Sequence, residues 1–227
     1  SVFAGDVIAG EPMKNHTTLR IGGPADIYVT PRNLPSLRNV MLALEEERIA
    51  ATTIGGGSNI LARDGGIEGA VISTVYLNQI ELIEEDAGEV RLFVEAGAPL
   101  QKLVTLSKEK GYEGVEGLVG IPGSLGGALW GNAGSFGFSI GDVVESVTVS
   151  NGGGKIFDSE KRDRSFGYRT SGIPAETIIL SANVRLRKGD ADAVAKRASD
   201  FLKEKQRTQP VSKLSAGCVF KNPPGGH

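Results

Sequence analysis

Apolar and polar positions along the chain follow two periods, near 2 in some stretches and near 3.6 in others, and their order predicts a mixed α+β fold. Residues 26–30, Asp-Ile-Tyr-Val-Thr, have strand character. Asn33 is placed to cap the helix that follows, with Leu37, Val40, Met41 and Leu44 along one face. Residues 51–54 return as a strand and run straight into Gly55-Gly-Gly-Ser-Asn. The apolar residues 70–72 close this first unit near residue 76.

A second unit opens with strand-like runs over 80–83 and 90–94, separated by an acidic, glycine-containing turn at 84–89. Pro99 starts a helix with Leu100, Leu103, Val104 and Ser107 inward, and Gly111 stands where a C-terminal cap belongs. A glycine-rich passage covers 114–141. Beyond it, residues 143–149, 155–157 and 178–186 read as antiparallel strands, with Asn151-Gly-Gly-Gly as a hairpin turn. A last helix over 192–205 turns Val194, Ala198, Phe201 and Leu202 to one side. Residues 210–227 have turn chemistry and one apolar pair, Val219-Phe220. The expected organisation is a first unit over 1–76, a second over 77–206 and the start of a third over 207–227.

Composition narrows the class. With 227 residues, 40% hydrophobic and 23% charged, the balance is that of an ordinary globular protein. A net charge of -2 provides no cationic field for nucleic acid or an anionic membrane. No apolar run reaches the length of a membrane span, and the first residues show no basic and apolar signal pattern. The single cysteine, Cys218, excludes an intrachain disulfide and fits a reducing, cytoplasmic setting. Two histidines make a structural metal site unexpected.

The outlying count is glycine, at 32 residues, clustered in two places. A glycine loop at a strand end lets backbone N–H groups approach a phosphate closely. Gly55, Gly56, Gly57, Ser58 and Asn59 form one such loop. No Gly-Lys-Ser/Thr follows, which excludes a P-loop, and Ile60 stands where a Rossmann fingerprint needs its third glycine. Taken alone, this stretch is equally a tight turn without a ligand. The second cluster, Gly120-Ile-Pro-Gly-Ser-Leu-Gly-Gly-Ala-Leu-Trp-Gly-Asn-Ala-Gly, changes that balance. It buries little apolar surface and carries a high backbone entropy cost, as expected where a ligand lies against the main chain. A diphosphate spanning both loops meets that demand.

At these residues the chain resembles the UDP-N-acetylenolpyruvoylglucosamine reductase family. Six motifs occur in the family's order: Asn15-His-Thr-Thr-Leu-Arg-Ile-Gly-Gly-Pro-Ala, Gly55-Gly-Gly-Ser-Asn-Ile-Leu, Gly120-Ile-Pro-Gly-Ser-Leu-Gly-Gly, Gly131-Asn-Ala-Gly-Ser-Phe-Gly, Phe166-Gly-Tyr-Arg-Thr-Ser and Ser215-Ala-Gly-Cys-Val-Phe-Lys-Asn-Pro. The resemblance implies a two-part FAD-binding fold like that of vanillyl-alcohol oxidase, followed by a substrate domain. It implies FAD held by Gly55, Gly56, Gly57, Ser58 and Asn59 together with Gly120, Gly123, Ser124, Gly126, Gly127 and Asn132. It further implies NADPH as hydride donor, using the same site in turn with a UDP-sugar enolpyruvyl ether, and a monomer is expected. Arg169 matches the arginine that polarises the substrate carboxylate, a task suited to its planar fork. Cys218 matches the proton donor, serine in many members and cysteine in others. Tyr168, Lys221 and Asn222 match residues on the substrate side. His16 is expected to be structural, and Trp130 to fill the back of the flavin site.

There are departures. Leu214 stands where many members have proline, and the family's catalytic glutamate belongs to a segment beyond Lys-Asn-Pro that no residue here matches. Two other readings stay open at this point: a related FAD-linked oxidase, and a flavin-binding module without turnover.

Overall fold

The computed structural model describes residues 3–160, 165–210, 213–218 and 220–223; of the expected apolar pair 219–220, Val219 lies outside them. Two β-sheets carry the architecture, built from residues 5–73 and 80–188.

The first sheet contains β1 (Gly5–Pro12), β2 (Pro24–Pro31), β3 (Ala51–Ile54) and β4 (Ile67–Ser73) in the order β1-β2-β4-β3. β1 runs antiparallel to β2, while β2 and β3 both run parallel to β4. Helix α1 (Leu34–Glu46) connects β2 to β3, and the Asn33 carboxamide oxygen caps it by accepting from Ser36 N–H at 2.8 Å. Its inward side is Ser36, Leu37, Met41 and Leu44. The passage from β3 to its parallel neighbour β4 is not a helix but residues 55–66, which hold the first glycine loop.

The second sheet is antiparallel, in the order β11-β10-β12-β6-β5. Its strands are β5 (Ile80–Glu85), β6 (Glu89–Glu95), β10 (Val144–Ser150), β11 (Ile156–Glu160) and β12 (Ile178–Lys188), with the short β7 (Tyr112–Glu113) also on β12. The β5–β6 turn is tighter than its acidic run suggests, because Asp86 accepts from the N–H groups of Gly88 and Glu89, each at 2.8 Å. Those two donors hold the Asp86 carboxyl below the ordinary aspartate range. Helices α2 (Leu100–Lys110) and α5 (Ala191–Thr208) cover this sheet. Gly111 ends α2 in the left-handed conformation, at φ 71°.

The second glycine passage is not a loop throughout. It contains α3 (Leu125–Trp130), the small hairpin β8 (Gly134–Ser135) with β9 (Phe138–Ser139), and α4 (Ile140–Val143). Tertiary contact overrides the poor helix propensity of Gly126 and Gly127. Gly126 N–H donates to Ala96 O at 2.7 Å and Leu125 N–H to Ala98 O at 2.9 Å, which fastens α3 against the end of β6. β1 has no sequence signal either, since Val7 and Ile8 are exposed and the strand lies at a sheet edge.

One apolar cluster joins the two sheets. Leu37, Met41 and Leu44 of α1, Ala70 and Ile72 of β4, and Leu77 pack with Ile178 and Leu180 of β12. Burying that surface in common ties the units together. Leu180→Ala is therefore expected to destabilise the protein by about 2–5 kcal/mol. Chemical denaturation followed by both circular dichroism and Trp130 fluorescence should show one transition, shifted as a whole; two separated transitions would mean that the units fold independently.

Candidate functional site

The two glycine loops meet main chain to main chain. A Cβ on Gly56 would lie 3.2 Å from Gly123 Cα, and one on Gly55 would run into the Ser124 hydroxyl. On Gly57, at φ 63°, it would collide with the His16 carbonyl, and on Gly123, at φ 105°, it would stand 2.5 Å from Ser58 Oγ. Glycine at 55, 56 and 123 thus lets the two loops approach each other, and at 57 it lets the first loop lie against the His16 carbonyl. Ser58 Oγ donates across the junction to Pro122 O at 3.1 Å.

This contact leaves donors unused. Among the described residues, the backbone N–H groups of Gly55 to Asn59, and those of Gly123 and Ser124, make no hydrogen bond within the chain. Ser124 is only 4% exposed, yet its hydroxyl also has no partner there. A cluster of unpaired, partly desolvated N–H and O–H groups is what an anionic oxygen requires. Gly127 adds room, since the nearest atom to a Cβ there would be Ser124 Oγ at 3.9 Å. Gly126 is different: it is needed for packing, with Ala96 at 3.1 Å from its missing Cβ. Gly120, at φ 72°, turns the chain into this loop.

Residues remote in sequence hold both loops. Gln101 Nε2 donates to Leu118 O at 3.0 Å and Ile121 O at 2.8 Å, while its Oε1 accepts from Gly120 N–H at 2.8 Å. Lys205 of α5, 4% exposed, donates to Val119 O at 2.8 Å. Burial pushes its ammonium below the ordinary lysine range. Behind the first loop, Gly57 O accepts from Thr18 N–H at 3.1 Å. His16 stacks on Tyr28 with centroids 3.9 Å apart and its Nε2 lies 2.9 Å from Glu11 Oε1. Hydrogen bonds from Asn15 and His16 hold the Glu11 carboxyl below its usual range. His16 stands behind the first loop, with its carbonyl facing Gly57. Gln101, Lys205 and Thr18 were not visible as site residues in the sequence, because each acts on a main-chain carbonyl or amide far along the chain.

The remaining predicted residues lie on a turn and a tail. Gly167 N–H and Thr170 O pair at 2.9 Å and Thr170 N–H and Gly167 O at 3.3 Å, so that Tyr168 and Arg169 occupy the tip. Arg169 has φ 57° and, among the described residues, no ion pair; its guanidinium carbon lies 5.6 Å from the Tyr168 ring centre. The tail crosses from one loop system to the other. Thr18 Oγ1 donates to Ser215 O at 2.6 Å, the Asn59 amide donates to Ala216 O, and Asn222 N–H donates to Tyr168 OH at 3.2 Å. Cys218, exposed and free, falls between these anchors, and Lys221 is exposed beside the last of them. Asn59 and Asn132, both expected at the cofactor, use their amides within the chain: Asn59 on the tail, Asn132 on Gly141 and Gly167. Trp130 is 47% exposed and its carbonyl accepts from Ser171 Oγ at 3.1 Å.

Residues 25–160 match the family model described as an FAD binding domain. The chain is 40% identical over 222 residues to the UDP-N-acetylenolpyruvoylglucosamine reductase of Clostridioides difficile (strain 630), covering 97% of this chain and 71% of that protein. The chain belongs to the UDP-N-acetylenolpyruvoylglucosamine reductase family. A crystal structure of the reductase from Thermus caldophilus superimposes with a TM-score of 0.83 at 28% identity, over 100% of this chain and 77% of that one. A VAO-type flavoprotein from Myceliophthora thermophila shares the fold alone, with a TM-score of 0.57 at 14% identity over 73% of this chain and 32% of its own. The α+β, vanillyl-alcohol-oxidase-like fold implied by the sequence motifs is therefore the fold of this reductase family member.

The unpaired donors of Gly55 to Asn59, Gly123 and Ser124 fit the diphosphate of FAD, and the contact between the loops makes Gly123 a sensitive position. Gly123→Val introduces a branched side chain at φ 105° against Ser58 Oγ. The purified variant is expected to lose its FAD, read as absent absorbance near the flavin bands after desalting. Normal flavin content would take this loop out of the cofactor site.

Proposed function

We propose that the protein reduces the enolpyruvyl ether of UDP-N-acetylglucosamine with NADPH, through FAD, in the cytoplasm as a step of peptidoglycan precursor synthesis. The observation that carries this reading is the junction of the two glycine loops, with its unpaired backbone donors and the orphaned Ser124 hydroxyl, in a chain of this reductase family. Gly55 to Asn59, Gly123 and Ser124 would hold the diphosphate. When bound, FAD supplies the two-electron relay between NADPH and the enolpyruvyl double bond.

The chain's own residues account for the rest of the chemistry. Reduction of the double bond adds a hydride at one carbon and a proton at its neighbour, with negative charge gathering on the carboxylate in between. Arg169, free of any ion pair among the described residues, offers a planar fork to that carboxylate and stabilises the charge as it develops. Cys218 supplies the proton: a thiol, with a reference pKa near 8.5, releases one far more readily than a serine hydroxyl does. The S–H bond breaks as the C–H bond forms, and the thiolate regains its proton from water. Tyr168, Lys221 and Asn222 lie where the tail meets the arginine turn, and line the substrate side.

The deciding experiment is an absorbance spectrum of the purified protein, followed by anaerobic NADPH and then by the enolpyruvyl substrate. Flavin bands that bleach with NADPH and return with substrate are expected. A protein that stays colourless after incubation with FAD would overturn the reading. Cys218→Ala should leave bleaching by NADPH intact while slowing the return by roughly 100-fold or more, the usual weight of a positioned proton donor. Equal slowing of both phases would remove Cys218 from the proton-donor role.

A further inference from the structure

We infer that Asn132 is a positioning residue for Arg169, holding the arginine turn to the far end of the helix whose near end carries the cofactor loop. The inference rests on the reading of Arg169 as the carboxylate-binding group. Asn132 leaves α3 in the left-handed conformation, at φ 40°, a region in which asparagine is enriched. Both ends of its amide are then engaged. Its Nδ2 donates to Gly167 O at 2.9 Å, and its Oδ1 accepts from Gly141 N–H at 3.0 Å. Gly167 is the first residue of the turn that presents Arg169.

A second hydrogen bond fixes the other side of the same turn. Ser171, 2% exposed, donates from Oγ to Trp130 O at 3.1 Å and accepts from Ile173 N–H at 3.4 Å. The turn is thus held at Gly167 and at Ser171, and both anchors lead to the C-terminal end of α3, to its last residue Trp130 and to Asn132 two residues beyond it. Gly141 belongs to the same arrangement, because a Cβ there would lie 2.7 Å from the Phe166 ring and 2.8 Å from Asn132 Oδ1. Arg169 itself has a positive φ, which a non-glycine residue keeps only when its surroundings enforce it. The Asn132 and Ser171 contacts are that enforcement.

Asn132→Asp is the sharpest test. The aspartate keeps an acceptor for Gly141 N–H and tolerates the left-handed backbone, but presents an oxygen to Gly167 O where the amide donated. In the FAD-loaded, full-length protein it should weaken binding of the enolpyruvyl substrate roughly tenfold or more. Binding is read by titration calorimetry and by the substrate-induced change in the flavin spectrum. FAD affinity should be unchanged, and combining the substitution with Arg169→Ala should add nothing to the loss from Arg169→Ala alone. Weakened FAD binding with normal substrate binding would overturn the inference and make Asn132 a cofactor ligand. So would additive losses, or a normal substrate titration in a variant lineage where Arg169→Ala fails. If Arg169→Ala itself binds substrate normally, the reading of Arg169 falls and this inference with it. Should Asn132→Asp not fold, Ser171→Ala removes the second anchor alone and is judged by the same outcomes.

Discussion

The approach of Gly56 to Gly123, close enough that a single added carbon would stand 3.2 Å from the facing main chain, is the constraint on which the site depends. A loop at the end of β3 and a loop leading into α3 can converge this tightly only if neither carries bulky side chains at the junction. The consequence is a surface made of main-chain amides. Such donors stabilise an anion through fixed dipoles, without bringing a second charge that would itself need compensation on burial. The Ser124 hydroxyl, buried and unpartnered among the described residues, adds one further donor of the same neutral kind.

Loops without side chains cannot order themselves, because glycine loses more backbone freedom on folding than any other residue. Their order has to come from outside. Gln101 grips three main-chain atoms just ahead of Pro122, and Lys205 reaches Val119 O from α5. Lys205 reaches the interior without a carboxylate partner among the described residues, consistent with its lowered pKa. On the other side, Gly57 is backed by His16 and Thr18. Thr18 also holds the tail through Ser215 O, so one short segment braces the first glycine loop and anchors the segment bearing Cys218.

Much of this was legible in the sequence where the signal is periodic. The α1 and α2 faces, the strands of the second sheet and the Gly111 cap follow from apolar spacing and turn chemistry. The glycine clusters pointed to a bound diphosphate, although the sequence could not distinguish glycines that admit a ligand from those that admit a neighbouring backbone. Gly127 has room for a Cβ, with only Ser124 Oγ at 3.9 Å, while Gly55, Gly56, Gly57, Gly123 and Gly126 closely face protein atoms. What was illegible has a common cause. β1 is an exposed edge strand, α3 is helical in spite of two glycines, and Gln101 and Lys205 meet carbonyls with no local pattern to mark them. In each case the deciding contact is long-range, and propensity is too weak to record it.

Asn132 shows how such a contact adds to what the sequence marks. By sequence it belongs with the glycines around it; by hydrogen bonding it belongs to the arginine turn. Between these two affiliations lies α3, a helix of six residues and hence about 9 Å long. Its first turn is fastened to Ala96 and Ala98, and its C-terminal end to Gly167 and Ser171. A short helix fixed at both ends has little freedom to stretch or bend. It sets the distance between the unpaired backbone amides of the glycine loops and the turn that carries Arg169. Two glycines in that helix weaken it in isolation, but Gly126 also lets it lie close against Ala96 at the end of β6, and that contact makes the spacing rigid.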